Sequence, residues 1–209
     1  MNKICDKYCN MINSKYGKLI KSIIIYGSNI YNESNSDLDI CLIVDKCSEK
    51  IKNEIICSTK KFHEDNGLKI DEEVPFDNKL IYTYEEIENV LANPPFYNNG
   101  EVVINKIVKT KEFLSSEEMK KRLLLNILTT DHLTIGNSTI EFEKKAFDII
   151  VNVIIKYYNL KNPTVNQLLN CMYVNQFDGS EGEMYLGYKK NYKEKEQYLI
   201  DKLKEYVYD

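Results

Sequence analysis

Arginine is almost missing from this chain. Arg122 is the single copy, while lysine, asparagine, isoleucine and tyrosine are abundant. Such a bias reflects coding preference and carries no chemistry of its own. Histidine is scarce, with only His63 and His132, and the six cysteines (Cys5, Cys9, Cys41, Cys47, Cys57 and Cys171) form no CxxC pair. A structural zinc site needs four ligands at recognisable spacing. That class is set aside, and the thiols read as small buried side chains in a reducing compartment. Positive charge is not in excess either: 28 Lys and Arg face 32 Asp and Glu, a net charge of −4. The pI is about 5.4. Proteins that hold long nucleic acids show a basic face, so no long polynucleotide partner is expected, although a local basic pocket remains compatible with these totals. No apolar run approaches transmembrane length, and residues 1–20 lack the unbroken apolar core of a signal peptide. The expectation is a cytoplasmic protein without a membrane partner. No internal repeat or low-complexity linker is present.

What the sequence does contain is a change of pattern part-way along. An apolar share of 43% allows the 209 residues to bury a substantial core. Ile4, Tyr8 and Met11 recur at helical spacing, predicting a helix over residues 2–16. The β-branched runs 19–26 and 37–45 predict two strands. Ser48 is a candidate N-cap for a helix over 48–65, and Gly67 stands just past its end. A third strand is expected at 68–74, stopped by Pro75, and a short helix at 84–92 before Asn93-Pro94-Pro95. Residues 96–113 read as either a strand or a linker.

Beyond that point only helical patterns recur. Ser115 and Glu118 make a capping box for a helix with a Met119/Leu123/Ile127 stripe. His132 extends the Leu124/Leu128 stripe of the same helix. Ser138 and Glu141 repeat the box before a Phe142/Ala146/Ile149/Val153/Tyr157 stripe. Asn162-Pro163 opens a third helix, and residues 191–207 form a fourth. The pattern predicts an α+β chain with an α/β domain over 1–113 and a helical domain, a C-terminal bundle, over 114–209.

The stretch with chemistry in it is "YGSNIYNESNSDLDICLIVD", residues 26–45. Strand side chains alternate faces, so Asp37 and Asp39 fall on one side, roughly 7 Å apart along the chain. Leu38, Ile40, Leu42 and Val44 take the other. Two such carboxylates repel and call for a positive charge between them. A hard divalent cation suits, and Mg²⁺ is commonly held by one or two carboxylates plus substrate phosphates. Upstream, Gly27 at a strand end lets backbone N–H groups approach an anion, and Ser28 adds a hydroxyl. A third carboxylate is available from residues 68–74, where Asp71 and Glu73 share a face. Either could complete the metal shell and accept a proton from an attacking hydroxyl.

This order resembles the DNA polymerase β-type nucleotidyltransferase superfamily: an apolar strand, Gly27-Ser28, a spacer, Asp37-Leu38-Asp39, a second strand, then a later acid. The motif covers roughly residues 19–75, and the helical half looks like the domain appended in small antibiotic (aminoglycoside or lincosamide) nucleotidyltransferases. The resemblance implies a twisted mixed sheet backed by helices. It implies transfer of a nucleoside monophosphate, AMP from ATP being the expected case, to a hydroxyl of a small acceptor, with pyrophosphate released. On that resemblance Gly27 and Ser28 would hold the triphosphate. Asp37 and Asp39 would bind two Mg²⁺ ions, with Asp71 or Glu73 binding one of them and acting as base.

Several of these residues have plainer readings. "SNSDLD" can be an acidic loop entering a strand, and "KIDEEVP" a solvated edge strand protected by Pro75. In residues 181–198, Tyr185 and Tyr188 can stack on a base, and Lys189 or Lys190 can reach phosphates. The same segment also reads as a lysine-rich, solvated helix start. His132 reads as a packed, hydrogen-bonded histidine or as a base near substrate, and His63 as solvated. Two other functions fit the same motif: an antitoxin-like adenylyltransferase that modifies a partner toxin, and a degenerate nucleotide-binding module.

Overall fold

The computed structural model describes residues 3–27, 30, 38–70, 75–103, 106–108, 110–174, 181–183 and 193–208. In chain order the elements are α1 (Lys3–Tyr16), β1 (Ile20–Ile25), β2 (Ile40–Val44), α2 (Glu49–Asp65), α3 (Phe76–Lys79), β3 (Ile81–Thr83) and α4 (Tyr84–Ala92). There follow β4 (Tyr97–Asn98), β5 (Glu101–Val102), β6 (Lys106–Val108), α5 (Lys111–Leu114), α6 (Glu117–Thr129) and β7 (Leu133–Gly136). The chain closes with α7 (Ile140–Tyr157), α8 (Val165–Val174), β8 (Glu181–Glu183) and α9 (Lys193–Tyr208). The fold is α+β, and the chain divides into two compact units, each built from two segments. One comprises Met1–Asn89 with His132–Glu141, the other Val90–Asp131 with Phe142–Asp209. Residue 113, where the sequence pattern changes, lies inside the second unit.

The first unit is organised around a mixed four-stranded sheet in the order β3-β2-β1-β7. β1 runs antiparallel to β2, with Ile25 opposite Ile40 and Ile23 opposite Leu42, and antiparallel to β7, with Ile25 opposite Leu133. β2 and β3 are parallel, Leu42 facing Ile81. Ile23, Ile25, Leu38, Ile40, Leu42 and Val44 join one core with Cys5, Tyr8, Cys9 and Ile12 of α1 and Ile55 and Phe62 of α2. Ile24, Cys41 and Ile43, of opposite parity, are buried as well. A strand buried on both faces has no polar alternation to show, which is why β2 reads as an unbroken apolar run. α1 and α2 are tied across this core by Tyr8, whose hydroxyl meets Thr59 Oγ1 at 2.9 Å in full burial. The Tyr8 ring stands edge-on to Phe62 with centroids 5.2 Å apart.

Two strands and both histidines depart from the sequence reading. The neighbour of β2 is β3, a three-residue strand. Residues 68–70, expected to begin a strand, carry no strand pairing, and residues 71–74 lie outside the described residues. His132 does not extend a helical stripe: α6 stops at Thr129, and His132 leads directly into β7, so a strand follows where only helices were expected. His63 is not solvated. It is 1% exposed, its Nδ1 lies 2.9 Å from the Thr59 carbonyl, and its ring meets Phe76 edge-on at 5.2 Å.

In the second unit, helices are accompanied by two short antiparallel ribbons, β4–β5 and β6–β8. The helix caps differ in detail from the sequence expectation. Ser116, not Ser115, caps α6, its hydroxyl accepting from Met119 N at 3.1 Å. Ser115 instead closes α5, donating to the Lys111 carbonyl at 2.9 Å. Glu118, freed from a capping role, accepts from Arg122 Nε at 3.0 Å. Arg122 is buried, with its guanidinium 5.0 Å from the Phe96 ring centroid. Burial pulls the Arg122 pKa down, against the stabilising carboxylate of Glu118. α8 begins after Thr164, which makes a reciprocal box with Gln167: Thr164 N donates to Gln167 Oε1 at 2.9 Å and Gln167 N to Thr164 Oγ1 at 3.3 Å. In α7 the buried face runs through Ala146, Ile150, Val153 and Ile154, while Tyr157 of the expected stripe is exposed.

Candidate active site

The antiparallel pairing of β1 and β2 brings the exit of one strand beside the entrance of the other. Tyr26 N donates to the Asp39 carbonyl at 3.2 Å, carrying the ladder one residue past each strand. Leu38 is buried in the α1/α2 core. By the two-residue alternation Asp39 therefore points away from that core, and it is half-buried. Gly27 follows at a φ of +68°, a conformation that costs an L side chain but not glycine. A Cβ built on Gly27 would fall on Asp39 Oδ2, and would stand 3.1 Å from Asp39 Cγ. The carboxylate thus occupies the space that any side chain at position 27 would fill. Glycine is needed here for two reasons, backbone conformation and contact.

The same sheet edge collects further residues. Ile25 lies opposite Leu133, so His132 stands one step beyond β7, in the row of Tyr26 and Asp39. Three neighbouring strand ends therefore carry a carboxylate, a phenol and an imidazole side by side. β3 runs parallel to β2, and its entrance is at this end too, with Leu42 N donating to the Leu80 carbonyl at 2.6 Å. The short helix α3 before it buries Asn78 and Lys79, and Tyr82 Oη donates to the Asn78 carbonyl at 2.8 Å.

Of the residues singled out from the sequence, the structure brings Gly27 and Asp39 together. Ser28, Asp37, Asp71, Glu73, Lys189 and Lys190 lie outside the described residues, as do Tyr185 and Tyr188. No group of three or more His, Cys, Asp or Glu side chains is arranged for metal binding among the described residues. No family model, curated protein or solved structure matches the chain. Among the described residues no helix is long and apolar enough to cross a membrane.

Five of the six cysteines are at least half-buried. Cys5, Cys9 and Cys41 are buried, Cys47 and Cys171 half-buried and Cys57 exposed. Burial is the leading cause that pushes the thiols of Cys5, Cys9, Cys41, Cys47 and Cys171 up, Cys9 to about 11, away from the thiolate that nucleophilic chemistry needs. Sequence reading passed over His132 as a member of the strand-end row. The signal available was the Thr-Ile alternation after it, too short to distinguish from the end of α6.

Proposed function

We propose that this protein is a Mg²⁺-dependent nucleotidyltransferase that moves a nucleoside monophosphate, AMP from ATP as the expected pair, onto a hydroxyl of a small-molecule acceptor. The observation that carries the reading is the contact between Gly27 and Asp39. A glycine at positive φ after an apolar strand is packed against a carboxylate that opens the next one. A turn without a side chain leaves backbone N–H groups free to approach phosphate oxygens, and a carboxylate held rigidly beside it suits a hard cation bound to the same phosphates.

In this proposal Asp39 and Asp37 hold the metal, and Gly27 and Ser28 bind the triphosphate. Lys189 and Lys190 add counter-charge to the phosphates. Two Mg²⁺ ions, when bound, supply neutralising charge to the phosphates and to the attacking and leaving oxygens. The acceptor hydroxyl oxygen forms a bond to the α-phosphorus as the bond to the β-phosphate oxygen breaks. Pyrophosphate leaves, and the hydroxyl proton passes to Asp71 or Glu73. His132, in the row of Asp39, is suited to orient the acceptor.

The experiment is incubation with labelled NTPs, Mg²⁺ and a panel of hydroxylated acceptors, with proteins among them. Label on a small acceptor, dependent on Asp39, supports the reading. Label on a protein would redirect it to protein modification, and no metal-dependent NTP binding would replace it with a different function.

A further inference from the structure

The chain contains two Asn-Gly dipeptides, Asn66-Gly67 and Asn99-Gly100. Such pairs share an intrinsic reactivity, because glycine offers an unhindered backbone nitrogen to the neighbouring amide carbon. The fold treats the two in opposite ways. Asn66 caps α2 and is tied at every point. Its Nδ2 donates to the Phe62 carbonyl at 2.7 Å, and its Oδ1 accepts from Lys7 Nζ at 2.5 Å. The nitrogen that would attack it, Gly67 N, donates to the Glu64 carbonyl at 3.2 Å.

Asn99-Gly100 forms the two-residue turn of the β4–β5 hairpin, in which Tyr97 pairs with Val102 and Asn98 with Glu101. Both turn residues have positive φ, 49° and 83°, as a type I′ turn requires. Both are exposed, and among the described residues no hydrogen bond engages the Asn99 side chain or Gly100 N. The ribbon is short: two residue pairs, then a bond from Val103 N to the carbonyl of the buried Phe96 at 2.7 Å, so its turn lies at the end away from that anchor.

We infer that Asn99 is a site of spontaneous deamidation in the native protein and that Asn66, with the same dipeptide sequence, is protected by the fold. Gly100 N bonds to Asn99 Cγ and ammonia leaves, giving a cyclic imide. Water then adds at either imide carbonyl, yielding aspartate or isoaspartate. Aspartate places a new carboxylate two residues before Glu101. Isoaspartate lengthens the backbone inside a turn that fits two residues, and the Tyr97–Val102 pairing is lost with it.

The test is peptide mapping by mass spectrometry after timed incubation of the full chain at mildly alkaline pH, with a parallel sample in denaturant. An isoaspartyl methyltransferase serves as the probe for the isomerised product. In the native sample the peptide containing Asn99 should convert at least about tenfold faster than that containing Asn66, the factor one or two lost hydrogen bonds supply. In denaturant the two rates should converge. Lys7→Ala, which frees Asn66 Oδ1, should speed conversion at Asn66 in the native sample and leave Asn99 unchanged. Equal native rates, faster conversion at Asn66, or a difference that persists in denaturant would each overturn the inference.

Discussion

Replacing Gly27 by alanine tests the contact on which the candidate site is built, and its cost can be worked out from two separate terms. The first is conformational. Gly27 has a φ of +68°, and holding an L residue there costs about 1–2 kcal/mol. Part of this is offset by the lower entropy of alanine in the unfolded chain, about 0.4–1 kcal/mol. The second is steric. The new Cβ would fall on Asp39 Oδ2 and lie 3.1 Å from Cγ, forcing the carboxylate off its rotamer at about 1 kcal/mol. Together they predict a loss of about 2 kcal/mol, or roughly 4–8 °C in Tm for a chain of this size. Thermal and urea unfolding of Gly27→Ala, Asp39→Ala and the double variant separate the terms. With Asp39 truncated the steric term vanishes and the conformational term stays, because Asp39 Cβ is 3.4 Å from the built position, an ordinary contact. The cycle should therefore give a coupling of about 1 kcal/mol. A Gly27→Ala protein as stable as wild type, or an identical loss in both backgrounds, refutes the argument.

Two further perturbations follow from the core. Tyr8→Phe removes the buried hydroxyl that meets Thr59 at 2.9 Å and strands a fully buried Thr59 Oγ1. Urea denaturation should show a loss of about 1–3 kcal/mol with an unchanged m-value. Alkaline stability should follow Cys9, whose thiol burial, with Cys5 and Asp6 nearby, pushes up from 9.0 to about 11. The unfolded thiol ionises first, so the contribution is intact below pH 9.0 and is lost as pH rises towards about 11. Chemical denaturation across that window should show a shallower decline in Cys9→Ala than in wild type.

The sequence shows its long elements clearly and its short ones hardly at all. α1, α2, α4 and the four long helices of the second half were legible because each repeats an apolar spacing over several turns. β1 and β2 were legible as β-branched runs. β3, with three residues, and β7, with four, are too brief for alternation to emerge, and each acquires its strand character only from pairing with a distant partner. "SSEE" offers two serines for one cap. The capping template favours Ser115 with Glu118, yet the helix starts one residue later: Ser116 accepts from Met119 N, and Glu118 pairs with the buried Arg122. His63 looked solvated because it sits in a charged helix, and the Phe76 ring that covers it comes from another element. At the candidate site, Gly27 and Asp39 each stood out from local signals, a glycine ending an apolar run and an acid opening the next, whereas their contact depends on β1 pairing with β2. The approach of His132 to the same edge depends on β7 joining β1 and is invisible to any local reading.

The most direct test of the proposed transfer is the rate of Mg²⁺-dependent pyrophosphate release with ATP and an accepted hydroxyl compound, measured for wild type and for Asp39→Asn. A carboxylate that holds the metal contributes several kcal/mol to the transition state, so the variant should lose at least about a hundredfold in rate while keeping its fold. Wild-type-like release from Asp39→Asn, or release that is indifferent to Mg²⁺, would contradict the account.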